Sequence, residues 1–355
     1  MALSFRAPGK YVQAPGALAL PDSYTDVAGR AFTIIDSDGL VRVGDQLKAG
    51  LARDCGGPLF KTYDGPCSEA ACREMAVEAL ESGCGFVTGV GGGKMLDIAK
   101  AVAHFARLPV AVCPTVASTD APCSSIAVLY HNDGSFDRYL HLRRNPNLVV
   151  VDSSVIAKAP AFLLVAGMGD ALSTWFEARA CARAGGKNEL GGAPGASALA
   201  LARGCFDTLM DCGVQAKLDV EAGRLSPAVE RAIETNILMS GIGFESGGLA
   251  LAHAFANGLT AVPDVRAMHG FAVAFGLQVQ LLLEGASDDL ARVRDFCRQV
   301  GLPMTLADLG LTDATDDDLR TLATATLACS RNIANCPFEV TEQTLLQAVG
   351  SVSDM

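Results

Sequence analysis

Residues 89–100, Gly-Val-Gly-Gly-Gly-Lys-Met-Leu-Asp-Ile-Ala-Lys, constrain this chain more than any other stretch. Just before them, Gly85-Phe86-Val87-Thr88 predicts a short apolar strand. Just after the glycines, Met95, Ile98, Ala99 and Val102 recur at helical spacing, which predicts a helix to Phe105. The glycines therefore occupy a strand-to-helix turn. Glycine lets backbone approach a ligand closely, and the N–H groups of a helix start favour an anion, so a pyrophosphate suits the turn. A purely structural turn is the competing reading, and Lys94 directly behind the glycines weighs against it. The motif is not a P-loop, because the Gly-x4-Gly-Lys-Ser/Thr spacing is absent. It also comes too late in the chain to be the fingerprint of a first βαβ unit.

Strands and helices alternate around this turn. Strands are predicted at 31–35, 59–63, 109–114 and 148–152, with a short edge strand inside 7–20. Helices are predicted at 41–52 and 68–81, the second opened by Ser68 as a cap. Residues 125–130 and 139–142 read as a hairpin around Asp133-Gly134. The alternation argues for a mainly parallel, helix-covered sheet. From Pro160 the texture becomes helical, at 161–182, 194–213, 227–243, 247–258, 269–284, 287–300, 315–333 and 342–350. The expected organisation is an α/β nucleotide-binding domain over 1–160 and an all-helical domain over 161–355. Asp36-Ser37-Asp38-Gly39 ends the early strand. It reads as a strand-end turn, or as the place where an acidic residue holds a ribose.

Composition excludes several classes. At 355 residues, with 50% hydrophobic and 19% charged positions, the chain can bury two cores. The net charge of -11 and the lack of a Lys/Arg cluster exclude nucleic acid as a main partner. The N-terminus lacks the layout of a signal peptide, and no apolar run reaches membrane-spanning length. The 12 cysteines form no Cys-x-x-Cys pair, which reads as reduced thiols in a cytoplasmic protein. Cys123, near the polar loop, reads as packing.

Of five histidines, His131 and His141 belong to the hairpin and His104 to a helix face. His253 and His269 stand in small-residue, apolar helical surroundings, sixteen positions apart (269 − 253). They therefore belong to two helices joined by the Pro263 loop. Asp170, in Gly167-Met-Gly-Asp-Ala-Leu172, is expected at a helix start. Two readings stand for these three residues. Asp170 caps a helix while each histidine is a core residue satisfied by neighbours such as Asn257, or the three hold a divalent cation. One carboxylate and two neutral imidazoles leave a position open for substrate, as in catalytic zinc and non-haem iron sites.

Five blocks, in order, carry a resemblance. They are 89–100, Pro114-Thr-Val-Ala-Ser-Thr-Asp-Ala-Pro122, Gly167-Met-Gly-Asp-Ala-Leu-Ser-Thr-Trp-Phe-Glu-Ala178, Ser240 to Leu249 with Ala252-His253-Ala254, and His269-Gly-Phe-Ala-Val-Ala-Phe-Gly276. Over nearly its whole length the chain resembles the metal-dependent polyol (glycerol dehydrogenase) branch of the iron-containing alcohol dehydrogenase family. The resemblance implies the dehydroquinate-synthase-like fold of that family: an α/β nucleotide domain, an all-helical domain and a cleft between them. It implies NAD on Gly91, Gly92, Gly93 and Lys94, with Thr115, Ser118, Ser124, Ile126 and Tyr130 also toward the cofactor. It places Ser37 at the ribose position and Asp120 at the substrate end. It makes Asp170, His253 and His269 the metal ligands, holding zinc, with Fe2+ as the other suitable ion. It also implies a homo-oligomer.

Departures from the family pattern concern the substrate and the ribose. The residue that in relatives is a ribose-binding acid is Ser37 here, and no basic pair replaces it. A second histidine common after the first His ligand is Ala256 here, the loop to His269 is shorter, and the charged pair after His-Gly is Phe271-Ala272. The implied activity is NAD-dependent oxidation of glycerol or a related vicinal diol or small polyol to the hydroxyketone. A dehydroquinate-synthase-like non-redox enzyme and a polyol-phosphate dehydrogenase are the alternatives. Both need basic groups around the metal, where the sequence offers little beyond Arg266.

Overall fold

Four segments of the first half are apolar at nearly every position and are buried at every position: β2 (Ala31–Ile35), β4 (Phe86–Gly91), β5 (Val110–Pro114) and β8 (Leu148–Asp152). Strands covered on both faces have this composition, and they lie in a parallel sheet. With the half-buried β1 (Lys10–Ala14) and the largely half-buried β3 (Leu59–Thr62) at its edges, the sheet runs β1-β8-β5-β4-β2-β3. Every neighbouring pair is parallel. The two remaining strands, β6 (Ile126–Tyr130) and β7 (Phe136–His141), form a separate antiparallel hairpin. The computed structural model describes residues 2–52, 57–263 and 265–355; Cys55, one of the twelve cysteines, lies outside the described residues.

The helices of this half are α1 (Ser37–Gly50), α2 (Glu69–Glu81), α3 (Gly93–Ala106) and the short α4 (Ser153–Ile156). From β2 the chain steps outward to β3, then returns to the other side of β2 to lay β4. That reversal creates a crevice at the carboxyl ends of β2 and β4, the place where open α/β sheets take ligands. α1 starts earlier than its apolar spacing predicts. Asp36 caps it, with Oδ1 accepting from the Gly39 N–H at 2.5 Å, so residues 37–39 are its first turn rather than a free strand-end turn.

α3 is buried on most of its surface, and two charges are buried with it. Lys100 Nζ lies 2.9 Å from Asp97 Oδ1 and donates to the carbonyl oxygens of Ala121, at 3.0 Å, and Ile126. Asp97 Oδ2 accepts from the Val128 N–H at 3.1 Å. The pair ties the helix behind the glycine turn to the loop and hairpin after β5. Lys100→Met is expected to cost about 3–5 kcal/mol of stability, because it strands Asp97 in an apolar setting. Urea unfolding measures this. The double variant Asp97→Asn, Lys100→Met should recover part of the loss, and equal stability of parent and single variant would show the pair contributes nothing.

Two compact units divide the chain: Ala7–Pro160 with Gly223–Leu225, and Met1–Arg6 with Ala161–Ala222 and Ser226–Met355. The first six residues go with the helices because Leu3 bridges Ala193 and Ser4 Oγ donates to Asn188 Oδ1 at 3.0 Å. The helical unit contains α5 (Ala161–Arg183), α6 (Ala196–Glu221), α7 (Pro227–Glu234), α8 (Ser240–Gly247), α9 (Leu251–Leu259), α10 (His269–Leu283), α11 (Ser287–Val300), α12 (Asp316–Ala328), α13 (Ser330–Ile333) and α14 (Glu342–Asp354). α7 and α8 continue through one wide π turn, Thr235–Met239, where Thr235 Oγ1 donates back to the Arg231 carbonyl at 2.7 Å. Gly248, at φ +96°, ends α8, so the helix expected from 247 begins only at Leu251.

Candidate active site

Asp170 sits in the middle of α5, not at a helix start, and its side chain is fully buried. Capping is therefore not its role. The helix carries Gly169 where α10 crosses it at backbone distance. A Cβ on Gly169 would overlap the Gly270 carbonyl oxygen, and one on Gly270 would overlap the Ala166 carbonyl oxygen. The two glycines adjoin Asp170 and His269 in sequence, so the crossing that needs them also brings these two residues together.

His269 is the first residue of α10 and His253 the third of α9. Asp170 Oδ1 lies 3.3 Å from His253 Nε2 and 3.4 Å from His269 Nε2. The three donor atoms lie within 4.8 Å of one another. His253 is buried, but the His269 side chain is 41% exposed, so the expectation of two core histidines holds only for His253. A helix's first residue points its side chain back past the helix end, which takes His269 to the edge of the packed core.

The second nitrogen of His253 is also engaged. Nδ1 lies 2.5 Å from Glu177 Oε2, and that oxygen accepts from Ser173 Oγ at 3.2 Å. Glu177 Oε1 accepts from the N–H groups of Ala250 and His253 at 2.8 and 3.0 Å. A carboxylate so surrounded by donors is an acceptor only, so Nδ1 carries the proton and Nε2 is the nitrogen that faces Asp170. Glu177 is fully buried on α5, two turns beyond Asp170.

Burial alone would raise the Asp170 carboxyl and lower the His253 imidazole. The facing charges outweigh it. The two imidazoles hold Asp170 below the usual carboxylate range, and Glu177 with Asp170 holds His253 well above its ordinary value.

This donor set fits a divalent cation. Four-coordinate zinc binds nitrogen and oxygen at about 2.0–2.2 Å, which places tetrahedral ligand atoms about 3.3–3.5 Å apart. Both measured carboxylate-to-imidazole distances fall there. The tautomer fixed by the Glu177 hydrogen bond is the arrangement metal-binding histidines use.

The second constellation lies at the carboxyl ends of the strands of the α/β unit. Gly91 ends β4 at φ +144°, a conformation that excludes side chains, and a Cβ there would come within 2.8 Å of Met95 Cγ. Gly92 is the cap of α3 and supplies no side-chain hydrogen bond to its first turn. A Cβ on Gly92 would lie 3.6 Å from Val116 Cγ2, and one on Gly93 would lie 3.6 Å from Thr119 Oγ1. The loop after β5 thus lies against the glycine turn, and the Thr115 N–H donates to the Gly91 carbonyl at 3.0 Å. Without side chains, this turn leaves a narrow cradle for a phosphate group.

The other anticipated residues lie at different depths. Ser118 is half-buried in the loop, and Asp120 is buried where the loop enters the turn Ala121–Cys123. Ser124 is buried and donates to the Ala121 carbonyl at 3.2 Å. Ile126 and Tyr130 stand on β6, which Lys100 and Asp97 tie to α3. Ser37 is exposed on the first turn of α1, and Lys94 Nζ donates to the Asp64 carbonyl oxygen at 3.1 Å. Sequence reading had assigned no role to Glu177, Thr119, Asp64 or the Gly169–Gly270 crossing. Glu177, Thr119, Gly169 and Gly270 all lie in matched blocks, and Glu177 stands two helical turns from Asp170; Asp64 lies in none.

Comparison with known proteins identifies the family. The family model for iron-containing alcohol dehydrogenase matches residues 8–153. A glycerol dehydrogenase of Pseudomonas putida is 46% identical over 354 residues, covering 98% of this chain and 96% of the relative. The solved structure of a probable glycerol dehydrogenase from Sinorhizobium meliloti 1021 superposes with TM-score 0.91 at 39% identity, covering 99% of both chains. That of a Schizosaccharomyces pombe glycerol dehydrogenase gives 0.94 at 35% identity, covering 99% of this chain and 91% of the other. Identity at this level over essentially the full length places the chain in the iron-containing alcohol dehydrogenase family, as a member of its glycerol dehydrogenase branch.

Proposed function

We propose that this protein is an NAD-dependent dehydrogenase that oxidises glycerol or a related vicinal diol or small polyol to the hydroxyketone, reversibly. The observation that carries this reading is the buried Asp170 between His253 and His269, with Glu177 fixing the His253 tautomer. Zinc is the ion the set suits best, being two imidazoles and one carboxylate with no thiolate, and Fe2+ is the second choice. When bound, the cation supplies a Lewis acid that lowers the pKa of an alcohol, and NAD supplies the hydride acceptor.

The chain's own residues would do the rest. Asp170, His253 and His269 hold the cation, and the exposed side of His269 leaves it open to substrate. Gly91, Gly92, Gly93 and Lys94 seat the pyrophosphate at the start of α3. Thr115, Ser118, Ser124, Ile126 and Tyr130 line the path of the cofactor, with Ser37 toward the ribose. Asp120 orients the nicotinamide or a substrate hydroxyl, or helps move the proton. The same reading makes 1–160 the NAD-binding domain and 161–355 the metal- and substrate-binding domain.

Family membership supports a homo-oligomer. The free cysteines, nine of the eleven described being buried, support a reducing, cytoplasmic setting. No helix among the described residues is long and apolar enough to cross a membrane.

Mixing the protein with NAD, zinc and glycerol should generate NADH absorbance, and dihydroxyacetone with NADH should consume it. A panel of small alcohols, diols and hydroxyketones with both nicotinamide cofactors ranks the substrates. Absence of turnover on every polyol, with metal loaded and NAD bound, would overturn the reading.

A further inference from the structure

At the end of β2, where a nucleotide-binding α/β domain commonly keeps an acid for the adenosine ribose, this chain has Ser37. The structure shows what stands beside it. Ser37 Oγ donates to Asp64 Oδ2 at 2.7 Å, and the Ser37 N–H donates to Asp64 Oδ1 at 3.2 Å. Asp64 comes two residues after β3, and β3 pairs in parallel with β2 so that Thr62 lies opposite Ile35. Its carboxylate thus reaches across from the neighbouring strand to the Ser37 position.

We propose that Asp64 is the residue that selects NAD over NADP in this chain, a carboxylate moved from the end of β2 to the end of β3 and aimed by Ser37. The inference rests on the dinucleotide reading of the glycine turn above. Three observations carry it. Asp64 lies at the same end of the sheet as that turn, and Lys94 of α3 donates to its backbone oxygen at 3.1 Å, so the residue is tied to the pyrophosphate cradle on one side and to Ser37 on the other. Asp64 is exposed, and an ionised carboxylate has about four acceptor positions, of which Ser37 uses two. The rest can accept from the ribose hydroxyls. The two Ser37 hydrogen bonds, foremost, and Lys94 hold the Asp64 carboxyl below its usual range, so it is an anion at neutral pH. A second anion, the 2′-phosphate of NADP, has no place against it. Asp36 adds to the negative character, its Oδ2 lying 3.5 Å from where a Cβ of Gly91 would be.

The competing reading makes Asp64 a tie that only steadies the first turn of α1. Binding titrations with ADP-ribose and its 2′-phosphorylated form separate the two, because these probes carry the adenosine end and need no metal or turnover. The parent should bind ADP-ribose at least about tenfold tighter than the 2′-phospho form, or about 1.4 kcal/mol. Asp64→Asn keeps an oxygen for Ser37 and removes the charge. It should bring the two probes within about threefold of each other, mainly by tightening the 2′-phospho form. The double variant Ser37→Asp, Asp64→Ser returns the carboxylate to β2 and should restore the preference.

An unchanged preference in Asp64→Asn overturns the inference while leaving NAD binding intact. A parent with no preference does the same. A parent that binds neither probe overturns the dinucleotide reading and this inference with it.

Discussion

Alanine at His253, His269 or Asp170 is expected to remove the bound cation and lower diol oxidation roughly a thousandfold or more, while NAD still binds. Loss of a Lewis acid from a hydride-transfer site costs on the order of 4 kcal/mol of barrier at that rate ratio. The three variants do not test the idea equally. Asp170 is fully buried and faces both imidazoles, so its removal also leaves His269 without that carboxylate and His253 with Glu177 alone. His253 is buried against Glu177, and its removal strands that carboxylate. His269 is half-exposed at the first position of α10, so His269→Ala should fold with little loss of stability. It is the clean test. Elemental analysis beside turnover and a thermal melt reads all three quantities. Full metal loading or near-parent turnover in His269→Ala would remove that residue from the site. The losses should not add, because ligands of one cation act as a unit.

The strands of the α/β unit were legible because a doubly covered parallel sheet writes itself as short runs of apolar residues. The glycine turn was legible because only a close ligand or a tight crossing calls for so many glycines before a helix. The three candidate metal ligands were legible only in part. The sixteen-residue spacing of His253 and His269 correctly implied two helices joined by a loop. Asp170 was expected at a helix start, yet it lies well inside α5, next to Gly169. Gly169, with Gly270, serves the α5–α10 crossing, a contact between segments about a hundred residues apart that no local pattern records. α9 shows the same limit. Its start carries no Ser, Thr, Asp or Asn cap, so its beginning was misplaced. Its first-turn N–H groups are met by Glu177 of α5 and Gln280 of α10. Under the core-residue reading the histidines were to be satisfied by near neighbours such as Asn257, whereas the partner of His253 Nδ1 is Glu177, 76 positions away. Ser37 and Asp64 are 27 positions apart and meet only because β2 and β3 are neighbours. Periodicity sees an element's own face; it does not see which other element covers it.

Glu177→Gln should weaken zinc binding about 10- to 100-fold, the range typical when the group behind a metal-bound histidine is changed. The expected mechanism is specific. The carboxylate accepts from Ala250, Ser173 and His253 on four sides, and one of those bonds keeps the proton on Nδ1 and turns Nε2 toward Asp170. Glutamine offers one oxygen and one amide nitrogen. If the oxygen stays with the α9 N–H groups, the amide faces Nδ1 as a donor and favours the tautomer with its proton on Nε2, where the cation belongs. If the oxygen turns to Nδ1, the amide opposes two backbone N–H groups and the start of α9 loosens, at about 1–3 kcal/mol. Either outcome weakens the site without deleting a ligand. Excess zinc should therefore restore much of the turnover of Glu177→Gln, whereas no zinc concentration should restore His253→Ala. Competition against a chelating dye gives the affinity, and turnover against zinc concentration gives the rescue. Parent-like zinc affinity in Glu177→Gln would mean that Asp170 alone sets the orientation of His253. Failure of rescue despite zinc bound would place the Glu177 carboxylate in the reaction itself rather than behind the metal.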